Sequence, residues 1–401
     1  MTGAAPEAGK RVSWVELYLD LVFVLAVSQL AHVIVAEPAM HSVWIALGLF
    51  VTLWWTWIGF AVLYNRLGAD VPRERLLFLA GSVPAGVAAV AIDPASVGES
   101  TVFALSLAAT RVVLATAHVV TGQGQEELRR RNVQALLGST VLFVVSIWVP
   151  APWRYVLWAV AIASESGAML REDRRNEHRA ARMRRERSFE AIRPTDPAEA
   201  LDPHHFAERF GLFIIILLGE VVVSAGQTAI DGHVATFDGW AALVAAMIFA
   251  AALWWLYFDA AAEINLKVLE MSGGSPVIAR AIFATGHMLP AFALLLMAAG
   301  VGLLLEPEPP RIAYALVSVG LGIYLLGTRV FLASGERIGG AVRALMVAAT
   351  FALGALHGVL SPHAYLWLVA VWAVVCASFA VGARRFMQDG RLEPVPPKAG
   401  A

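Results

Sequence analysis

Apolar stretches of about 20 residues recur along nearly the whole chain, and short polar loops separate them. A helix rises 1.5 Å per residue, so about 20 apolar residues are enough to cross the hydrocarbon core of a bilayer. The pattern therefore predicts an all-α integral membrane protein with about twelve transmembrane helices. The predicted spans are 14–35, 43–64, 74–92, 101–121, 133–150, 152–170, 208–230, 240–262, 278–303, 311–333, 341–360 and 364–386.

The second half of the chain repeats features of the first half in the same order. The segment LWWTW at Leu53–Trp57 matches LWWLY at Leu253–Tyr257. An asparagine follows the second tryptophan by ten residues in both halves, at Asn65 and Asn265. Six spans per half is an even number, so the two halves would enter the membrane in the same direction. We therefore predict two parallel six-helix repeats, related by an axis along the membrane normal.

The repeats set the predicted domain boundaries. Residues 1–170 form the first six-helix repeat, and residues 206–388 form the second. Between them, residues 171–205 are rich in charged side chains and are predicted to form a cytoplasmic linker. Residues 389–401 are predicted to be a disordered C-terminal tail.

Composition and charge support this class and indicate its orientation. The chain is 59% hydrophobic and 15% charged, whereas a soluble domain carries about 25% charged residues. Loops that share a side with the N-terminus are basic, with a run at Arg129–Arg131 and an arginine cluster within 171–187. An excess of Lys and Arg marks the cytoplasmic side, so both termini are predicted to be cytoplasmic.

Several function classes lack their sequence signatures. There is no GxxxxGK[ST] loop for ATP and no HExxH zinc motif. The single cysteine, Cys376, excludes an internal disulfide and a cysteine-based zinc site. We expect no cofactor, no metal and no nucleic-acid partner. The expected partners are membrane lipids and an ion or small solute, and a homo-oligomer is left open.

Charged and polar residues inside the predicted spans are the candidate functional residues. Glu16 and Asp20 lie four residues apart, on one face of the first span. A carboxylate in hydrocarbon is costly, so its default interpretation is functional. The candidates for an ion or solute pathway are Glu16, Asp20, Asn65, Arg111, Glu208, Glu220, Asp259, Asn265, His287 and Arg329.

Buried charges are tolerated when they are paired, which predicts ion pairs between spans. The predicted pairs are Asp20 or Glu16 with Arg111, and Glu208 or Glu220 with Arg329. Asp20 and Glu220 break the symmetry of the repeat, because their counterparts are Leu212 and Ser28. Charges that the repeat does not duplicate are the better candidates for chemistry.

Two motifs connect the chain to a known family. ELYLDLVFVLAVSQLAH at 16–32 resembles the first-helix signature of the low temperature requirement A (LtrA) family, with Tyr18 and Leu19 in place of two phenylalanines. HHFAERFGLFIIILLGEVVVSAG at 204–226 resembles the second signature of that family. The resemblance extends over about 11–386 and implies a bacterial inner-membrane protein. The family name records a cold-growth phenotype and does not name an activity.

Three hypotheses follow for function. In the first, the protein is a transporter or channel for an ion or small solute, and Asp20 and Glu220 carry the coupling charge. Arg111 and Arg329 then act as counter-charges. In the second, it is a membrane-embedded enzyme on a lipid-like or isoprenoid substrate, and the same acids serve as general acids. In the third, it is a non-catalytic membrane scaffold.

Overall fold

The computed structural model describes residues 12–66, 71–121, 126–170, 193–194, 200–230, 236–328 and 337–389. Within these ranges the chain is helical and contains no β-strand. The helices are α1 Trp14–Ala36, α2 Met40–Arg66, α3 Pro72–Val90, α4 Ile92–Ser96, α5 Thr101–Thr121, α6 Glu126–Val145, α7 Trp153–Leu170, α8 Pro203–Thr228, α9 Phe237–Leu256, α10 Glu263–Met271, α11 Pro276–Ala279, α12 Met288–Leu304, α13 Ile312–Gly327, α14 Arg337–Ala352 and α15 Pro362–Asp389.

The helices have the length and composition of membrane spans. In the part of the chain that the structure describes, nine helical segments are long and apolar enough to cross a membrane. Helix α13 is apolar but shorter. The all-helical fold is confirmed, while the count of twelve spans and the parallel repeat stay predictions.

The chain forms two compact units. The first unit contains Met1–Glu220 and Asn265–Leu295, and the second contains Val221–Ile264 and Leu296–Ala401. Most of the predicted linker and residues 390–401 of the predicted tail lie outside the described residues. The predicted domain boundaries therefore stay predictions.

An aromatic cluster between α2 and α8 forms part of the core of the first unit. The ring of Trp57 lies 4.3 Å from that of Phe213 and 4.8 Å from that of Phe210, measured between centroids. Trp54 lies 5.4 Å from Trp57 in the same way. Aromatic pairs at these distances contribute about 0.5–1.5 kcal/mol each beyond the area that they bury. The cluster therefore helps to hold these two helices together.

Helices α1 and α8 run side by side in the same direction. Near their first turns, Arg209 of α8 contacts Glu16 and Asp20 of α1. Further along both helices, the Ser28 hydroxyl donates a hydrogen bond of 3.2 Å to Oε1 of Glu220. Early residues of α1 contact early residues of α8, and later residues contact later ones. The two helices are therefore packed parallel to each other.

The second unit is held by helix packing and by tyrosine hydroxyls. Helix α9 packs along α15, and α13 packs against α14. The Tyr324 hydroxyl donates to the Leu253 carbonyl at 3.0 Å, and the Tyr365 hydroxyl donates to the Tyr314 carbonyl at 2.8 Å. These bonds satisfy hydroxyl groups that would be costly to bury alone.

Two long apolar segments are not regular α-helices throughout. A π-helix at Tyr257–Ala262 connects α9 to α10. A second π-helix at Arg280–Ala284 follows α11, and a turn at residues 285–287 separates it from α12. π-Helical turns are rare and frequently occur at functional sites. The second interruption lies in the first unit, next to the aromatic cluster.

Side chains satisfy the carbonyl groups that this second interruption leaves without helical partners. Trp54 Nε1 donates to the Ala284 carbonyl at 2.7 Å. His287 Nδ1 lies 2.8 Å from the Ile282 carbonyl oxygen, so Nδ1 carries the proton and donates it. Irregular backbone inside an apolar span requires such partners, because hydrocarbon provides none.

Candidate functional site

Glu16 joins the start of α1 to the start of α8. Its Oε2 accepts from the Ser13 backbone N–H at 2.9 Å and from the Ser13 hydroxyl at 3.2 Å. This is the N3 position of a capping box, in which the glutamate binds the N-cap residue. Its Oε1 accepts from Arg209 at 2.7 Å, and Oε2 also lies 3.2 Å from Nε2 of His205. The carboxylate is fully buried.

Asp20 lies one turn further along α1 and shares the same guanidinium. Its Oδ1 accepts from the Trp57 indole at 2.6 Å and from Nη2 of Arg209 at 3.3 Å. Among the described residues, its Oδ2 is buried and has no hydrogen-bond partner. The Arg209 guanidinium also lies 5.5 Å from the centre of the Trp57 ring, within the range of a cation–π contact.

Asn65, at the end of α2, clamps the beginning of α8. Its Oδ1 accepts from the Asp202 backbone N–H at 3.0 Å, and its Nδ2 donates to the Asp202 carbonyl at 3.1 Å. The same Nδ2 lies 3.0 Å from Nδ1 of His205. Asp202 in turn caps α8, because its Oδ1 accepts from the His205 backbone N–H at 3.0 Å.

Together these residues form one buried network, which we call the α1–α8 network. Its side chains are those of Glu16, Asp20, Trp57, Asn65, His205 and Arg209. It places two carboxylates on a single guanidinium. Burying net charge is expensive, so such a group favours binding of a cation or a proton.

The predicted pairing of Arg111 with Asp20 or Glu16 is wrong. Arg111 instead pairs with Glu165 of α7, with distances of 2.8 Å from Nε to Oε1 and 3.3 Å from Nη2 to Oε2. Its Nη1 also donates to the Thr56 hydroxyl at 2.9 Å. A bidentate carboxylate satisfies the planar guanidinium better than a single oxygen would. Glu165 therefore provides the counter-charge.

The other candidates lie outside this network. Glu220 is buried and accepts from Ser28, and His287 is buried beside the interrupted helix. Asp259 lies in the second unit and accepts from the Trp255 indole at 2.8 Å. Asn265 is buried in α10.

The predicted pairs of Glu208 and Glu220 with Arg329 are not tested, because Arg329 lies outside the described residues. Glu208 itself is exposed, on a different face of α8 from its buried neighbour Arg209. The exposure is unexpected, because the offset that matches Asp20 with Leu212 also matches the buried Glu16 with Glu208.

Sequence reasoning missed Arg209, His205, Trp57 and Glu165 as site residues. His205 and Arg209 are four residues apart, a spacing that places both on one helical face if the helix includes them. The seventh span was predicted to begin at residue 208, which left His205 in the linker. Glu165 was the only acid within the sixth predicted span, and this isolated charge in an apolar segment could have indicated a buried ion pair.

A cavity of about 60 Å³ with a mainly apolar wall lies in the first unit. Arg66, His118 and Glu165 contribute to its wall, together with Leu201 and Phe206. The last two residues flank the Asp202–His205 segment in the chain. A cavity of this size has room for a few water molecules. It borders the segment of the chain at which α8 begins.

Among the described residues, no group of three or more His, Cys, Asp or Glu side chains is arranged to hold a metal ion. The chemistry of the network is that of carboxylates, one guanidinium and one imidazole.

These features define a polytopic, all-helical membrane protein with a buried network of charged side chains. Residues 11–378 match the model of the bacterial low temperature requirement A protein family (LtrA), and the chain belongs to that family. The family resemblance expected from the two sequence motifs is thus confirmed.

Comparison with individual proteins adds little about activity. The chain is 25% identical over 285 residues to an uncharacterized protein of Rhizobium meliloti (strain 1021). The match covers 69% of this chain and 66% of that relative, which is just under two thirds of its length. No solved structure matches the chain.

Proposed function

We propose that the protein transports an ion or small solute across the membrane, and that Asp20 carries the coupling charge. The observation that supports this proposal is the shared guanidinium of the α1–α8 network. Arg209 contacts both Glu16 and Asp20, so the two carboxylates share the one arginine of the network. A cation that binds and leaves at Asp20 would change the electrostatic balance between two adjacent helices.

Two further observations favour transport. The cavity beside the start of α8 has room for a few water molecules and has Arg66, His118 and Glu165 in its wall. The interruption between α11 and α12 resembles the discontinuous helices at which many transporters bind their substrates. Glu220 is the second proposed coupling residue, because it is a buried acid on α8 and binds Ser28 of α1.

We also propose that the protein resides in the bacterial inner membrane, with membrane lipids around it and both termini in the cytoplasm. The basic loops support this orientation. The proposed architecture is twelve spans in two parallel six-helix repeats. Parallel packing of α1 and α8 favours it, because these helices are the first of each half and would share one direction.

The test is a flux assay with the purified protein in sealed liposomes, read with a pH dye and with potassium- and sodium-sensitive dyes. Wild type is compared with Asp20→Asn and with the control Asp93→Asn, which makes the same change at an exposed acid of α4. Asn at position 20 keeps an Oδ1 acceptor for Trp57 and Arg209. We therefore expect Asp20→Asn to fold and to lose at least ten-fold in flux.

The control variant should transport as wild type does. Equal flux in folded Asp20→Asn and wild type would contradict the role of Asp20. Flux in wild-type liposomes no greater than in empty liposomes, for every ion assayed, would contradict ion transport.

A further inference from the structure

We propose that the cation held by the α1–α8 network is a proton on Oδ2 of Asp20, and that Asn65 assigns it there by keeping His205 neutral. The inference names the ion of the proposed transport function and to that extent rests on it. It is carried by the hydrogen bonds of three side chains that could each hold the proton.

The orientation of the Asn65 amide is fixed by the backbone. Its oxygen faces a backbone N–H of Asp202 at 3.0 Å, and its nitrogen faces the Asp202 carbonyl at 3.1 Å. Rotating the amide by 180° would put donor against donor and acceptor against acceptor. Both backbone bonds would be lost, at a cost of about 1–3 kcal/mol for each buried group left unsatisfied.

The fixed amide determines the tautomer of His205. The nitrogen of Asn65 has two hydrogens, and the one not used by Asp202 is directed to Nδ1 of His205 at 3.0 Å. Nδ1 must therefore accept, which places the imidazole proton on Nε2. Nε2 then donates to Oε2 of Glu16 at 3.2 Å. A second proton on Nδ1 would face the Asn65 amide hydrogens, so His205 stays neutral.

Glu16 is excluded as the proton site by the donors that surround it. Arg209 occupies Oε1, and Oε2 receives the Ser13 N–H, the Ser13 hydroxyl and the His205 N–H. An ionised carboxylate accepts at about four positions, so Glu16 is saturated as an acceptor. A proton on Oε2 would displace one of its three donors, and a proton on Oε1 would compete with the 2.7 Å bond from Arg209.

Asp20 remains. Its Oδ1 accepts from Trp57 and Arg209, while Oδ2 has no partner among the described residues. The charged groups in contact with Asp20 or linked to it are Arg209 and Glu16, and neutral His205 lies beyond Glu16. One positive guanidinium and one negative Glu16 leave the network neutral only when Asp20 is protonated. The proton comes from water and returns to it.

The first measurement is made on the wild-type protein without flux, and variants of the network serve only to assign its signals. Full-length protein labelled with ¹⁵N-histidine in lipid nanodiscs is studied by NMR near neutral pH, and His205→Gln assigns the His205 signals. We expect a bare Nδ1 and a protonated Nε2. Infrared difference spectra with ¹³C-aspartate should show the carbonyl band of a protonated aspartic acid, and Asp20→Asn should remove this band.

The second measurement tests Asn65 as a positioning residue. Asn65→Leu removes the amide that directs a hydrogen at Nδ1, so His205 should become a doubly protonated imidazolium and the Asp20 carbonyl band should be lost. The matched control is Asn132→Leu, the same change at an asparagine that lines the cavity of the first unit. It should leave both signals as in wild type.

Three results would overturn the inference. One is an imidazolium at His205 in wild type. Another is a neutral His205 with no carbonyl band that depends on Asp20, which would show that Asp20 is ionised. The third is a folded Asn65→Leu protein with unchanged signals. None of these spectra depends on a transport assay. If the spectra are as expected but the protein shows no flux, only the proposed transport function is refuted.

Discussion

The first unit contains two buried clusters of charged side chains, each with one arginine, and the two arginines are paired differently. Arg209 is divided between two carboxylates, whereas Arg111 is matched by both oxygens of Glu165. The Arg111 guanidinium also lies 4.5 Å from the centre of the Phe143 ring. The Arg111 cluster is therefore balanced in charge and suited to a structural role, whereas in the α1–α8 network one guanidinium contacts two carboxylates.

The structural role of Arg111 can be tested by removing it. Arg111→Ala leaves Glu165 in an almost fully buried position without its counter-charge, which should lower the free energy of unfolding by about 3–5 kcal/mol. The double variant Arg111→Met, Glu165→Leu removes both charges and should recover most of this loss.

Unfolding is followed by circular dichroism as SDS is added to protein in mixed micelles. Arg154→Ala is the control, because this partly exposed arginine binds only the Gly98 carbonyl, the Val149 carbonyl and the Ser100 hydroxyl among described residues. It should change the free energy of unfolding by about 1 kcal/mol or less. A double variant as unstable as Arg111→Ala would contradict the pairing.

The sequence could identify buried charged residues but not their partners. Helical spacing places Glu16 and Asp20 on one face of α1, and this holds in the structure. Spacing within one helix does not tell which other helix lies beside that face. Arg111 and Arg209 were both compatible with it, and only tertiary packing selects Arg209. The roles assigned to the candidate residues in a pathway stay predictions.

At the scale of helices, capping residues determine where a helix begins, and the apolar pattern does not show them. The linker was predicted to extend to residue 205, but Pro203 is already the first residue of α8, with Asp202 as its N-cap. Proline is favoured at this position because its missing N–H has no helical partner there. The early start of α8 is what brings His205 and Arg209 to Glu16.

The interruption before α12 depends on Gly286. A Cβ at this position would lie 2.2 Å from the Ile282 carbonyl oxygen and 3.0 Å from that of Ala281. Gly286→Ala should therefore strain the turn and lower the free energy of unfolding by about 1–3 kcal/mol. The same SDS titration measures the effect.

Gly138→Ala is the matched control, because a Cβ there meets no atom within 4 Å and the residue lies within α6. This change should be neutral or stabilising by up to about 1 kcal/mol, as alanine is the better helix former. If Gly286→Ala were as stable as Gly138→Ala, the turn would not require a glycine.

At the scale of the whole molecule, the apolar pattern was sufficient for the fold class because a bilayer allows few alternatives. Backbone groups in hydrocarbon must be satisfied within the segment, so long apolar stretches become helices. Their interruptions and neighbours are less constrained by composition. The π-helix at Arg280–Ala284 depends on partners such as Trp54, which is 230 residues distant from Ala284 in the chain. No local pattern could have indicated it.

The proposed twelve-span topology requires that α3 crosses the membrane. Helix α3 is 19 residues long but is not among the nine segments that are long and apolar enough to cross a membrane. If it crosses, Glu99 is on the periplasmic side. If it does not, Glu99 is on the cytoplasmic side, and every later loop changes side until another helix compensates. Basic residues at its start, Arg73 and Arg75, favour crossing, because they mark the cytoplasmic side.

Cysteine labelling measures this directly. In a Cys376→Ala background, which has no other cysteine, single cysteines replace Glu37, Arg73 and Glu99. Intact cells are treated with a thiol reagent that does not cross the inner membrane. Glu37→Cys should be labelled and Arg73→Cys should be labelled only after permeabilisation, under either topology. Glu99→Cys should be labelled in intact cells, because the twelve-span topology places its loop outside the membrane. Labelling of Glu99→Cys only after permeabilisation would exclude α3 as a span. It would thereby also exclude the parallel six-helix repeat.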